Sequence, residues 1–299
     1  MRGLCKHYYG LATSAIVVLS IVLYYSPFSI SFSINLALCI FLIVTLGIFH
    51  GSNDLYALRY LLKDSKIPYT LKIAFYILCA LLFILLYSID ERVMLIAFIV
   101  ISAYHFGEER SAGLDGFKGT KRLLWSFAYG SSIFLLLFYT NFSEFNQVIE
   151  QFGFHGVQPE YLQRLIVPCL IGQTLLLLGS CVLGRIPVFK TLLIFVELVS
   201  LFVLFRMLGI LAGFTLYFIF WHSIPSIRTQ IALRKNKGET FDLLTFSKQS
   251  LPVYLLSAAT ALISVYYFQN GMISLEYLVI FIACTTMPHV LVMAMFEKN

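Results

Sequence analysis

The sequence predicts an all-α fold, a polytopic transmembrane helical bundle of about ten spans, and three observations predict it. Of 299 residues, 60% are hydrophobic and only 12% are charged, where soluble globular chains run near 25% charged. The charges are also bunched, since residues 11–49, 73–89, 123–143, 165–184 and 249–275 hold none. Each such stretch is long enough, or nearly so, to cross a hydrocarbon core of roughly 30 Å at about 1.5 Å per residue. The third observation is the sorting of basic residues by side, taken up below. No soluble domain remains once the apolar stretches are removed, so residues 1–299 read as a single integral-membrane domain.

In chain order the spans are expected near 11–25, 32–50, 71–89, 92–106, 122–140, 161–183, 189–205, 208–224, 250–268 and 273–295. Arg2 and Lys6 precede the first span as in a signal peptide. The text that follows it, "YYSPFSISF", offers no small-x-small cleavage site, so the span is expected to be retained. The seventh and eighth spans are kept apart because Arg206 and Gly209 interrupt a run far too long for one crossing. The six cysteines, Cys5, Cys39, Cys79, Cys169, Cys181 and Cys284, are scattered singly without CxxC spacing and read as small apolar packing residues.

An N-terminus in the cytoplasm places 18 of the 21 lysines and arginines in inner loops, Arg110 among them, and leaves Arg92, Arg164 and Arg206 outside. This is the positive-inside pattern, and it predicts a multi-pass inner-membrane protein with both termini cytoplasmic. The outer segment 141–160 agrees, with Glu144, Glu150 and Glu160 and no lysine or arginine. Topology therefore accounts for the net charge of +6 better than nucleic acid does, because no basic stripe with interleaved aromatics is present.

Four of the six histidines fall on even-numbered spans: His50 on span 2, His105 on span 4, His222 on span 8 and His289 on span 10. Even spans run from outside to inside, so these rings lie about 13–19 residues from the outer ends, roughly 20–28 Å at helical rise. They share one depth in the inner leaflet. A single intramembrane histidine reads equally well as a neutral ring bonded to a neighbouring helix, but four at one level point to a functional interior. Neutral imidazole is the commonest transition-metal ligand, so a four-histidine metal site is expected. His7 and His155 fall outside the spans and read as solvated loop residues.

The flanking residues form boxes. "HGSND" places Asp54 four residues after His50, and "HFGEE" places Glu109 four residues after His105. That spacing sets acid and ring on one helix face, where a carboxylate can accept the ring N–H and fix its tautomer. The other reading makes both acids solvated caps, with the helices already ended at Gly51 and Gly107. In "FWHSIPS" Ser226 takes the corresponding place and Pro225 is expected to bend or stop the helix, whereas in "MPHVLVM" Pro288 precedes His289 and can turn it inward. Tyr104, Trp221 and Met287 flank these rings as candidate pocket walls, although each alone reads by default as a lipid-facing side chain. No HExxH, paired HxxxH, GxSxG, Walker loop or glycine-rich dinucleotide fingerprint is present. By donor type the site suits Fe(II), Cu or Zn.

"FHGSND", "SAYHFGEE", "FWHS" and "MPH", in this order and spread through nearly the whole chain, resemble the Brp/Blh family of bacterial β-carotene 15,15′-dioxygenases. The resemblance implies a polytopic helical membrane enzyme with a histidine-bound non-haem Fe(II) that uses O₂ to split β-carotene into two retinals. It implies metal roles for His50, His105 and His222, and suggests a retinal-accepting rhodopsin as partner. Members often carry a second histidine four residues after that of the tryptophan-histidine box, where this chain has Ser226; His289 is expected to complete the set. Beyond the resemblance, the residues alone also admit a bis-histidine haem protein for electron transfer, or a proton-coupled transporter using His50/Asp54 and His105/Glu109 as relay pairs.

Overall fold

A computed structural model describes residues 32–62, 66–114, 116–236, 240–272 and 275–298, with Ala15, Val18 and Val22 ahead of them. The described residues form helices and no strand. Twelve helices are followed in order: α1 Phe32–Leu42, α2 Ile48–Gly51, α3 Asp54–Leu61, α4 Tyr69–Ile89, α5 Glu91–Ser111, α6 Gly119–Thr140, α7 Phe142–Glu150, α8 Pro159–Val182, α9 Val188–Tyr217, α10 Ile224–Asn236, α11 Leu243–Gln269 and α12 Leu275–Lys298. Two π-helical turns interrupt them, Ile43–Gly47 before α2 and Phe218–Ser223 before α10.

Seven helical stretches among the described residues are long and apolar enough to cross a membrane: Asn35–Leu61, Tyr69–Ile89, Gly119–Thr140, Pro159–Val182, Val188–Lys235, Leu243–Gln269 and Glu276–Met295. The expected count of about ten is not reached, for three separate reasons. Span 1 falls almost wholly outside the described residues. Span 4 is a helix, α5, but Glu91, Arg92, Glu108, Glu109 and Arg110 crowd its two ends. Spans 7 and 8 lie in one helical run, broken at Gly209, whose φ of 78° and ψ of 178° no helix contains.

That break is where the sequence placed it, and α7 repairs it. The Asn141 side chain donates to the Phe205 carbonyl at 3.0 Å, and the Ile210 N–H donates to Glu144 Oε2 at 2.9 Å. A carbonyl left over by the first half-helix and an amide left over by the second are thus both satisfied, and the carboxylate sits at a positive helix end. At other ends the capping is ordinary. Asp242 Oδ1 accepts the Thr245 N–H at 2.8 Å. Asp90 Oδ1 accepts the Arg92 and Val93 amides, and hydrogen bonding from the Arg92 side chain holds its carboxyl down to about 2.

The chain divides into two compact units. The first comprises the described residues up to Leu42, Ser102–Gln147 and His155–Pro225. In it α6 packs on α8 and α9, and α1 packs on α9. The end of α5 meets α6 through small residues four apart on each helix: a Cβ at Gly107 would collide with the Ser126 carbonyl, and one at Gly130 with the Ala103 carbonyl. Small residues at that spacing let two membrane helices bring their backbones together. The second unit comprises Ile43–Ile101, Val148–Phe154 and the chain from Ser226 onward. There α12 packs on α3, α4 and α11, with Ala57, Leu58, Val292 and Met293 at the centre of one apolar cluster.

Candidate metal centre

All four box histidines are buried, at 2% to 6% exposure, while His155 is exposed. Each unit carries two of them. In the second unit the rings of His50 and His289 lie 4.7 Å apart, centre to centre, at 87°. In the first, His105 and His222 lie 4.9 Å apart at 78°.

The approach to each unit's pair includes a π turn. His50 follows Ile43–Gly47, and its Nδ1 contacts the Gly47 carbonyl. His222 lies inside Phe218–Ser223, where the Ile224 N–H bonds to Ile219, five residues back. Pro225 explains this second turn: it brings no N–H, and its ring would press on the carbonyl four residues earlier in a regular α-helix. The expected bend or stop at Pro225 is instead a local widening, after which α10 continues. At Pro288 the helix likewise runs on.

Both acids are sequestered from solvent, so neither is a solvated cap. Asp54 is 2% exposed and the Glu109 side chain 11%. Their observed partners differ from those the spacing predicts. Asp54 Oδ1 lies 2.9 Å from His289 Nδ1, and Glu109 Oε2 lies 2.5 Å from His222 Nδ1. Each acid reaches the histidine of a different helix. For Asp54 the cause is visible: α2 ends at Gly51, Ser52 and Asn53 make a turn, and α3 restarts at Asp54, so the four-residue register from His50 is broken. α5, by contrast, continues through Gly107 to Ser111.

These contacts test whether the residues suit a metal ion. A carboxylate or carbonyl oxygen can only accept, so at His50 and His289 Nδ1 carries the hydrogen and Nε2 carries the lone pair. Neutral imidazole held in one tautomer by an oxygen on its far nitrogen is the donor that transition metals take from proteins. The residues present fit the group.

Several neighbours went unread in the sequence. Tyr76 on α4 donates to Asp54 Oδ2 at 3.1 Å. Gln230 Nε2 donates to the His50 carbonyl at 3.1 Å and lies 3.5 Å from the hydroxyl of Ser226, which is fully buried. Phe106 and Phe218 place their rings 4.7 and 5.4 Å from that of His222, and Phe106 stacks on Phe134. Arg110, expected in an inner loop, is buried and bound to Glu197 of α9 at 2.8 Å, with the Tyr129 hydroxyl donating to the same carboxylate. Glu197 was the legible signal there, a lone acid in the middle of an apolar span. Of the candidate walls, Trp221 is buried, its ring parallel to that of Tyr217 at 6.2 Å, while Tyr104 is half-buried and donates to Glu108 at 2.9 Å.

Among known proteins, the model of a family described as beta-carotene 15,15′-dioxygenase matches residues 41–297. No curated protein and no solved structure matches the chain.

Proposed function

Because the chain belongs to the beta-carotene 15,15′-dioxygenase family, we propose that it splits the central double bond of β-carotene with O₂. In that reaction the carbon–carbon double bond breaks, each carbon takes one oxygen atom, and two retinals leave. We further propose that His50, His105, His222 and His289 hold a single non-haem iron(II), with the protein in the inner membrane and both termini cytoplasmic. The observation that carries the reading is the burial of all four box histidines within a chain of this family.

Iron, when bound, supplies the one-electron chemistry that ground-state O₂ needs to react with a closed-shell hydrocarbon. The chain supplies the rest. Asp54 holds His289 in the Nδ1–H tautomer, Glu109 stands beside His222 Nδ1, and their two negative charges offset a divalent cation in a medium where an uncompensated charge is costly. β-Carotene is as apolar as the lipid that dissolves it and offers no polar handle, so selectivity for one double bond rests on positioning. Tyr104, Trp221 and the rings of Phe106 and Phe218 beside His222 are proposed to supply that positioning.

Expression in β-carotene-producing cells, followed by extraction and identification of products, tests the activity: retinal is expected, and intact carotene or apocarotenals of other lengths would refute it. The carboxylates have their own test. Asp54→Asn and Glu109→Gln keep shape and an accepting oxygen but lose the charge, so metal affinity is expected to fall about 10–100-fold. Equilibrium titration of the metal-free proteins checks this. Wild-type affinity with only a lowered melting temperature would make both acids structural.

A further inference from the structure

We propose that Tyr76 is a positioning residue for the metal site: its hydroxyl fixes the Asp54 carboxylate, which in turn fixes the ring of His289. The inference rests on the reading of His289 as a metal ligand. All three residues belong to the second unit.

Asp54 opens α3 directly after the Ser52–Asn53 turn, where the backbone alone leaves the carboxylate free to rotate about its last bond. Two helices remove that freedom. From α12, His289 Nδ1 approaches Oδ1 at 2.9 Å and Oδ2 at 3.1 Å; from α4, the Tyr76 hydroxyl donates to Oδ2 at 3.1 Å. The carboxylate is 2% exposed, so water does not compete for either oxygen. Oδ2 is tied to α4, and the plane of the carboxylate is set by that tie. Oδ1 then points along one direction, and the His289 ring follows it.

The body of Tyr76 is held independently of its hydroxyl. Its ring packs on the cluster of Ala57, Leu58, Val292 and Met293, between α3 and α12. Packing therefore aims the phenol, and removing the oxygen alone leaves the apolar contacts in place. Gly51 stands on the Nδ1 side of the ring, where an added Cβ would make ordinary van der Waals contact with Nδ1 at 3.5 Å. Packing at this side does not lock the ring, so its rotation is restrained by the Tyr76–Asp54 pair.

The test uses the purified full-length protein, stripped of metal and titrated with Co(II), whose d–d absorption reports coordination geometry. Tyr76→Phe is expected to bind Co(II) about tenfold more weakly, the lower end for partners of metal-bound histidines, with an altered Co(II) spectrum and a melting temperature close to wild type. In an Asp54→Asn background Tyr76→Phe should add no further loss, because both changes break one chain of contacts. An undiminished Co(II) affinity in Tyr76→Phe overturns the proposal. So does an equal loss in the Asp54→Asn background, or a loss accompanied by a fallen melting temperature and an unchanged spectrum. His289→Ala is the separate control: wild-type Co(II) binding in that variant overturns the ligand reading itself, and the proposal with it.

Discussion

His222→Ala and His289→Ala are each expected to reduce bound iron to background and to abolish carotene cleavage, and His50→Ala and His105→Ala to do the same. Every one of these rings is buried, and each is paired edge-on with another histidine of its unit. Removing one takes a nitrogen from the proposed site. At His222 and His289 it also leaves a buried carboxylate without its imidazole partner, at a cost of about 1–3 kcal/mol for the unsatisfied group. His155→Ala removes an exposed ring and is expected to change neither property. Iron analysis and product chromatography on the same preparations check all five variants. Full iron content in His289→Ala would remove that residue from the coordination sphere and turn attention to the buried environment of Ser226, whose hydroxyl lies 4.0 Å from Met293, one turn beyond His289 on α12.

Gly107→Ala is expected to be the most damaging substitution of a single methyl group outside the histidines. A Cβ there meets the carbonyl of Ser126, which is backbone and has no rotamer to change. Relief requires α5 to move off α6, and α5 carries both His105 and Glu109. Overpacking of this kind costs about 3 kcal/mol, so the melting temperature should fall by about 6–12 °C. Gly130→Ala should behave alike, since its Cβ meets the Ala103 carbonyl across the same contact. Gly172→Ala and Gly179→Ala on α8 have nothing within 4 Å of the added methyl and are expected to be neutral or slightly stabilising. Thermal unfolding in detergent separates the two pairs.

The class of fold was legible because lipid imposes long charge-free helices, and the charge-free stretches were visible by inspection. Even the break at Gly209 was readable, since only glycine takes φ near 78° without strain and it sits in a run too long for one crossing. The count of spans was less so. α5 carries its charges at both ends, where composition cannot separate a crossing from a partly buried helix. At the site, the four histidines were marked by their boxes, but their partners were not. The four-residue rule assumes an uninterrupted α-helix, and the turn at Ser52–Asn53 defeats it. The π turns beside His50 and His222 have no sequence signature except Pro225, whose effect was expected as a bend. Tyr76, Gln230 and Tyr129 are recruited from helices distant in sequence, and only packing brings them near. Arg110 was assigned to an inner loop because its partner, Glu197, lies 87 residues away.

The central proposal is that the chain binds one non-haem iron through its box histidines. Its most direct test is the metal content and visible spectrum of the purified wild-type protein, reconstituted anaerobically with Fe(II). The account predicts one iron per chain and no Soret band. Two irons per chain, one for each pair, or an intense Soret band from bound haem, would contradict it.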